Sequence, residues 1–166
     1  MFDVGEYIVY GQNGICRVED ITHPEISGYD DDRLYYVLVP ERSRESRLFC
    51  PTDNKKVVLR KIVSAQEAME AIGEAERMEP LQVANDRMRD ECYKNVMKSC
   101  DLKQWIQIVK TLLMRKKERE AMGKKITATD ERYLNAAQEV LFTEVAIATG
   151  KEKDEVKQLV FSAICA

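Results

Sequence analysis

Along the first 63 residues, hydrophobic positions recur with a period near two, and from residue 64 onward with a period near 3.6. Tyr7-Ile8-Val9-Tyr10 is β-branched and aromatic and runs into the turn Gly11-Gln12-Asn13-Gly14. A second strand follows over Ile15–Ile21. Simple alternation there puts Cys16, Val18 and Asp20 on one face and Ile15, Arg17, Glu19 and Ile21 on the other. Beyond a polar loop, Leu34–Val39 is a third strand stopped by Pro40. Arg47–Cys50 is a fourth, ending at Pro51, and Lys56–Arg60 is a fifth. The second pattern carries cap signals. Ser64 with Glu67 opens a helix bearing Ala68, Ala71, Ile72 and Ala75. Pro80 is expected to open another helix, reaching Lys98. Asp101 with Gln104 opens a third, to Gly123. Thr127 with Asp130 opens a fourth that Gly150 ends, and Thr149 with Glu152 opens a fifth.

Five short strands in about 60 residues predict a compact SH3- or Tudor-like five-stranded β-barrel. The fold class is therefore α+β, with a β-module over 1–63 followed by an all-α domain of about five helices over 64–166. Four of the seven glycines and three of the four prolines fall in the first part.

Composition narrows the function classes. Hydrophobic residues make up 45% and charged residues 33%, a folded chain rather than a disordered one. No apolar run approaches the roughly 18 residues of a membrane span, and the first residues carry no secretory pattern, so a cytoplasmic location is expected. Five cysteines without a C-x-x-C pair argue for reduced thiols, not a disulfide framework or zinc site. His23 is the only histidine, and no nucleophile, phosphate loop or metal pattern appears. The expectation is a non-enzyme without cofactor. Asp30-Asp31-Asp32 lacks the spacing of a calcium loop and reads as a solvated turn.

Charge points to a partner. The net charge is -3, so any nucleic-acid contact has to be local. Between Lys110 and Lys125, seven basic residues (Lys110, Arg115, Lys116, Lys117, Arg119, Lys124, Lys125) face only Glu118 and Glu120. This stretch is either a phosphate-contact patch or a solvated helix end whose cations complement the helix dipole. Arg87, Arg89, Lys94 and Lys98 form a weaker group. Trp105 lies in a stripe with Leu102, Val109 and Leu112, which predicts core packing rather than a surface anchor.

Phe2-Asp3-Val4-Gly5-Glu6-Tyr7-Ile8-Val9-Tyr10 and Asn13-Gly14-Ile15-Cys16-Arg17-Val18 resemble the opening of the CarD/CdnL family of bacterial transcription regulators. Tyr35-Tyr36-Val37-Leu38, Leu48 to Asn54, Lys98-Ser99-Cys100-Asp101 and Ile126 to Leu134 continue the likeness in order and at the right spacing. The resemblance implies a module that pairs a free strand edge with the RNA polymerase β-subunit, placed at Ile21, Thr22, His23, Pro24 and Glu25, with Phe49. It also implies a helical domain near promoter DNA that stabilises the open complex, with Arg87, Arg89, Lys110, Arg115, Lys116, Lys117, Lys124 and Lys125 as the phosphate-contacting candidates.

The chain departs from the family at three places. Gly11 replaces a usual proline. Arginines present in some members are absent around Thr22–Glu25 and at Phe49. The family's DNA-wedging tryptophan aligns near Asp86, and Trp105 does not inherit its role. A rival reading follows, in which the β-module binds polymerase or another protein and the helical domain recruits a protein, not DNA.

Overall fold

The computed structural model describes residues 1–25, 28 and 32–165. Asp30 and Asp31 of the expected acidic loop, and Ile26, which follows the expected contact stretch, lie outside the described residues. The chain forms two compact units, Met1–Ile62 and Val63–Ala166.

The first unit is a five-stranded antiparallel sheet: β1 (Tyr7–Tyr10), β2 (Ile15–Thr22), β3 (Tyr35–Pro40), β4 (Leu48–Pro51) and β5 (Leu59–Lys61). The strand order is β4-β3-β2-β1-β5, which leaves β4 and β5 at the edges. One face closes on Ile8, Cys16, Val18, Tyr36, Leu38 and Cys50. Leu48 of β4 and Leu59 of β5 pack against the same cluster, so both edges bend round one small core. This is the Tudor-like layout that the strand spacing predicts.

Simple alternation misplaces Ile21. The β2–β3 register shifts between Val18 and Asp20, with Val18 opposite Leu38 and Ile21 opposite Tyr36. A bulge at Glu19 adds one residue and turns Ile21 to the Cys16–Val18 face, where it packs on the core. The fifth strand is also shorter than expected. Asn54 Oδ1 accepts from the Lys56 and Val57 amides, and its Nδ2 donates to the Val57 carbonyl at 2.8 Å. This turn keeps Val57 and Val58 out of the ladder, and both remain exposed.

The second unit holds five helices: α1 (Ala65–Gly73), α2 (Arg89–Ser99), α3 (Leu102–Ala121), α4 (Ala128–Thr149) and α5 (Lys153–Ile164). Ser64 Oγ accepts from the Glu67 amide at 3.1 Å, Asp101 Oδ1 from Lys103 at 3.2 Å and Thr127 Oγ1 from Asp130 at 3.1 Å, so three of the expected caps form. Gly150 ends α4 at φ 73°, and α3 stops at Ala121, two residues before Gly123.

Pro80 opens no helix. The Leu81 amide donates to Thr111 Oγ1 at 2.9 Å, and Gln107 Nε2 donates to the Glu79 carbonyl, so this segment is tied to α3. Asn85 caps a short 3-10 turn over Asp86–Met88 instead, and α2 follows it. Thr149 does not cap α5 either. It takes the Lys151 amide beyond the end of α4, and α5 begins after Glu152.

Trp105, Ile106, Val109 and Leu112 of α3 are buried with Leu141 and Val145 of α4 and Val156 and Val160 of α5. Trp105 is thus a core residue, as its stripe predicts. Glu144, wholly buried on α4, accepts the Val63 amide at 2.9 Å, which assigns Val63 to the helical unit. No helix is long and apolar enough to cross a membrane among the described residues.

Two predictions follow from the sheet unit. Gly11 sits at φ 47°, its amide donates to the Val58 carbonyl at 2.9 Å, and a Cβ there would run into Val57 Cγ1. Proline cannot adopt that φ or supply that donor. Gly11→Pro is expected to cost about 3 kcal/mol or more, read as a lowered urea midpoint. Burial pushes the Cys16 thiol up to about 12. An unfolded cysteine loses its proton near pH 8.5, about, so the folded state holds a proton that the unfolded state releases. Stability from this thiol is whole below that pH and falls by about 1.4 kcal/mol per pH unit above it. Cys16→Val should flatten that alkaline fall in urea titrations.

Candidate interaction surfaces

The sheet unit brings two parts of the expected polymerase-contacting set to one end of the sheet. Across β2, β3 and β4 the rows run Thr22–Tyr35–Pro51, Ile21–Tyr36–Cys50 and Asp20–Val37–Phe49. Ile21 and Thr22 lie on the part of β2 beyond its pairing with β1, which covers Ile15 to Arg17, so their ladder partner is β3 alone. The outward amide of Ile21 is occupied by its neighbour's carboxylate, Asp20 Oδ1, at 2.8 Å. Of the six residues, Phe49 is the one on an edge strand, half-buried on β4. The end of β2 and β4 thus both present a strand edge here.

His23 Nδ1 lies 2.9 Å from the Arg33 carbonyl, and since a carbonyl only accepts, that nitrogen carries the hydrogen. Pro24 is buried, and Glu25 is exposed. Arg33 in turn reaches Asp53 at 2.7 Å, and its hydrogen bond and charge hold the Asp53 carboxyl below the usual range. This end of the sheet is therefore fixed by polar ties that leave Glu25 and the β4 edge outward.

In the helical unit the structure divides the expected phosphate-contacting residues into two sets. Lys110 is buried. Its Nζ donates to the Ala75 and Glu76 carbonyls at 2.8 Å each, where the chain leaves α1, and it offers no charge to solvent. Arg89 reaches Asp86 Oδ1 and the Tyr93 hydroxyl at 3.0 Å, so its guanidinium is largely engaged. Burial raises the Tyr93 pKa, and the Arg89 hydrogen bond pulls the other way. Arg115 is one-quarter exposed and pairs through Nε with the fully buried Asp130 at 2.9 Å. Arg87, Lys117, Lys124 and Lys125 are exposed, and Lys116 is partly so. These five carry the surface charge.

Two residues outside the expected set shape this surface. Asp130 fixes Arg115, and Arg119 Nε donates to the Lys125 carbonyl at 2.7 Å, closing the α3–α4 turn. The sequence signals were present, since Arg119 lies four residues after Arg115 and Asp130 three after the cap Thr127. At the aligned place of the family's tryptophan, Asp86 presents a carboxylate with 92% of its side chain exposed. No group of three or more His, Cys, Asp or Glu side chains is arranged to hold a metal ion among the described residues.

Residues 2–63 match the CarD-like/TRCF RID domain, and residues 67–161 match the C-terminal domain of CarD. No curated protein matches the chain. The two matches meet the two compact units in order, and together they span nearly the whole sequence. The chain belongs to the CarD-like family of RNA-polymerase-interacting transcription factors.

Proposed function

We propose that the chain is a non-enzymatic modulator of transcription initiation that binds the RNA polymerase β-subunit through its sheet unit (expected as residues 1–63) and contacts promoter DNA through its helical unit (64–166), stabilising the open complex. The observation that carries this reading is the order of two CarD-like domains on two separately cored units. Phe49 on the β4 edge, with Ile21, Thr22, His23, Pro24 and Glu25 at the same end of the sheet, is the proposed docking region. A strand edge offers unpaired main-chain groups, and side chains beside it set the register. Lys116, Lys117, Lys124, Lys125 and Arg87 are the proposed phosphate contacts, while Lys110 and most of Arg89 serve the fold.

A second reading has one observation in its favour. Asp86 places an exposed carboxylate where the family has a DNA-inserting aromatic, and it would repel a phosphate. On that reading the helical unit recruits a protein, and polymerase binding is unchanged.

Full-length variants separate these readings. Phe49→Ala should weaken capture by the polymerase β-subunit by roughly tenfold, as loss of a central aromatic contact does, with DNA affinity unchanged. Changing Lys116, Lys117 and Lys124 together to Ala should lower the slope of log K against log salt for a short promoter duplex by up to about 2.7. Polymerase capture should not change. An unaltered slope would remove this patch from the mechanism, and absence of any duplex binding at low salt would leave the adaptor reading.

Lys110→Met should behave in the opposite way. It leaves two carbonyls without their donor and should cost about 1–3 kcal/mol of stability, seen as a lower thermal midpoint, with the salt slope intact.

A further inference from the structure

Arg115 and Arg119 stand four residues apart on α3, so their side chains share one face of the helix. Each spends a single nitrogen on the segment leading into α4. Arg115 Nε donates to Asp130 Oδ2 at 2.9 Å, and Arg119 Nε donates to the Lys125 carbonyl at 2.7 Å. The terminal amino groups of both guanidinia make no hydrogen bond among the described residues. Neither do they belong to the side-chain atoms buried without a partner, so they open to solvent.

Both anchors are themselves fixed. Asp130 is fully buried and its amide is capped by Thr127 Oγ1 at 3.1 Å. The turn holding the Lys125 carbonyl is closed by the Lys124 amide on the Arg119 carbonyl at 2.8 Å. A guanidinium pinned through Nε presents its other two nitrogens as a fork of set direction, which matches two oxygens of one phosphate. Arg115 meets the carboxylate through one nitrogen, and Asp130 Oδ1 has no hydrogen-bond partner.

We infer that Arg115 and Arg119 form a preset two-guanidinium clamp for the phosphodiester backbone of duplex nucleic acid, with the neighbouring lysines adding undirected phosphate contacts. The inference rests on the reading that the helical unit meets DNA, and it names the side chains that make the directed contacts there. Lysines on flexible stems act as point charges and give no preference for one polyanion over another. Two fixed forks favour a stiff array of phosphates over a flexible acidic peptide, which has to be ordered before it can meet both.

The experiment uses the full chain, a short duplex and a salt series, with Arg115→Lys, Arg119→Lys and the double variant. Lysine keeps the charge and removes the fork, so the clamp predicts at least roughly tenfold weaker binding for the double variant with an unchanged salt slope. Arg119→Lys alters only a side chain whose partner is a main-chain carbonyl, so it should keep the wild-type thermal midpoint and still lose roughly threefold. Duplex binding by the double variant within twofold of wild type overturns the clamp and leaves the DNA reading standing. A wild-type chain that binds no duplex at low salt overturns both. A polyglutamate peptide of equal charge that binds as tightly as the duplex overturns the preference for phosphate.

Discussion

A charged side chain withdrawn from water must find a partner, and the helical unit is arranged around that requirement. Desolvating an ammonium or carboxylate without compensation costs several kcal/mol, roughly, so each buried charge dictates what lies beside it. Lys110 requires two carbonyls and finds them where the chain leaves α1, an end where backbone oxygens gather and a cation is favoured. Asp130 requires a cation and takes Arg115. Glu144 takes the Val63 amide and so fixes where the helical unit begins. These demands bind α1, α3 and α4 together, and they also settle which basic residues remain for a partner. The division between structural and surface cations follows from burial and not from their grouping in sequence.

The sheet unit meets a different constraint. A core built from one face of five short strands needs every strand to send enough apolar side chains to that face. In β2, strict alternation would send Asp20 inward and Ile21 outward. The bulge at Glu19 reverses this, placing Ile21 opposite Tyr36 and Asp20 outward, where its carboxylate takes the Ile21 amide. The same residue thus avoids burial of a charge and occupies a main-chain donor that would otherwise invite strand pairing. β4, with Phe49, is a further strand edge at this end of the sheet.

Much of the fold was legible because its signals are local. Caps at Ser64, Asp101 and Thr127, the glycine at 150 and the apolar stripe around Trp105 each depend on neighbours within a turn or two. The segment after Pro80 was not legible, because its backbone groups are satisfied by Thr111 and Gln107, some 28 to 30 residues away. Cys100 shows the same limit from another side. It holds φ 53°, the left-handed conformation that glycine adopts freely, and its burial is visible only in three dimensions. Within the site, the seven-cation stretch was evident from composition, yet nothing in it distinguishes Lys110, which faces inward, from Lys117, which faces solvent. Seven residues along α3 return a side chain to nearly the same face, so the two differ only because the chain leaving α1 covers Lys110 and leaves Lys117 exposed.

The net charge of -3 gives the whole chain no long-range attraction to DNA, so a nucleic-acid contact by the helical unit has to act at short range. Short-range contacts with a handful of cations are weak alone. The two units follow one another directly, Ile62 to Val63, and docking of the first on polymerase would raise the local concentration of the second to the millimolar scale, roughly, that short tethers give. A free chain would then ignore genomic DNA, while a docked one would engage the segment beside it. In that arrangement a strong DNA surface would be a liability, because it would hold the chain away from polymerase. A few exposed lysines and two braced arginines on an acidic chain fit a contact that forms only after the other partner is in place.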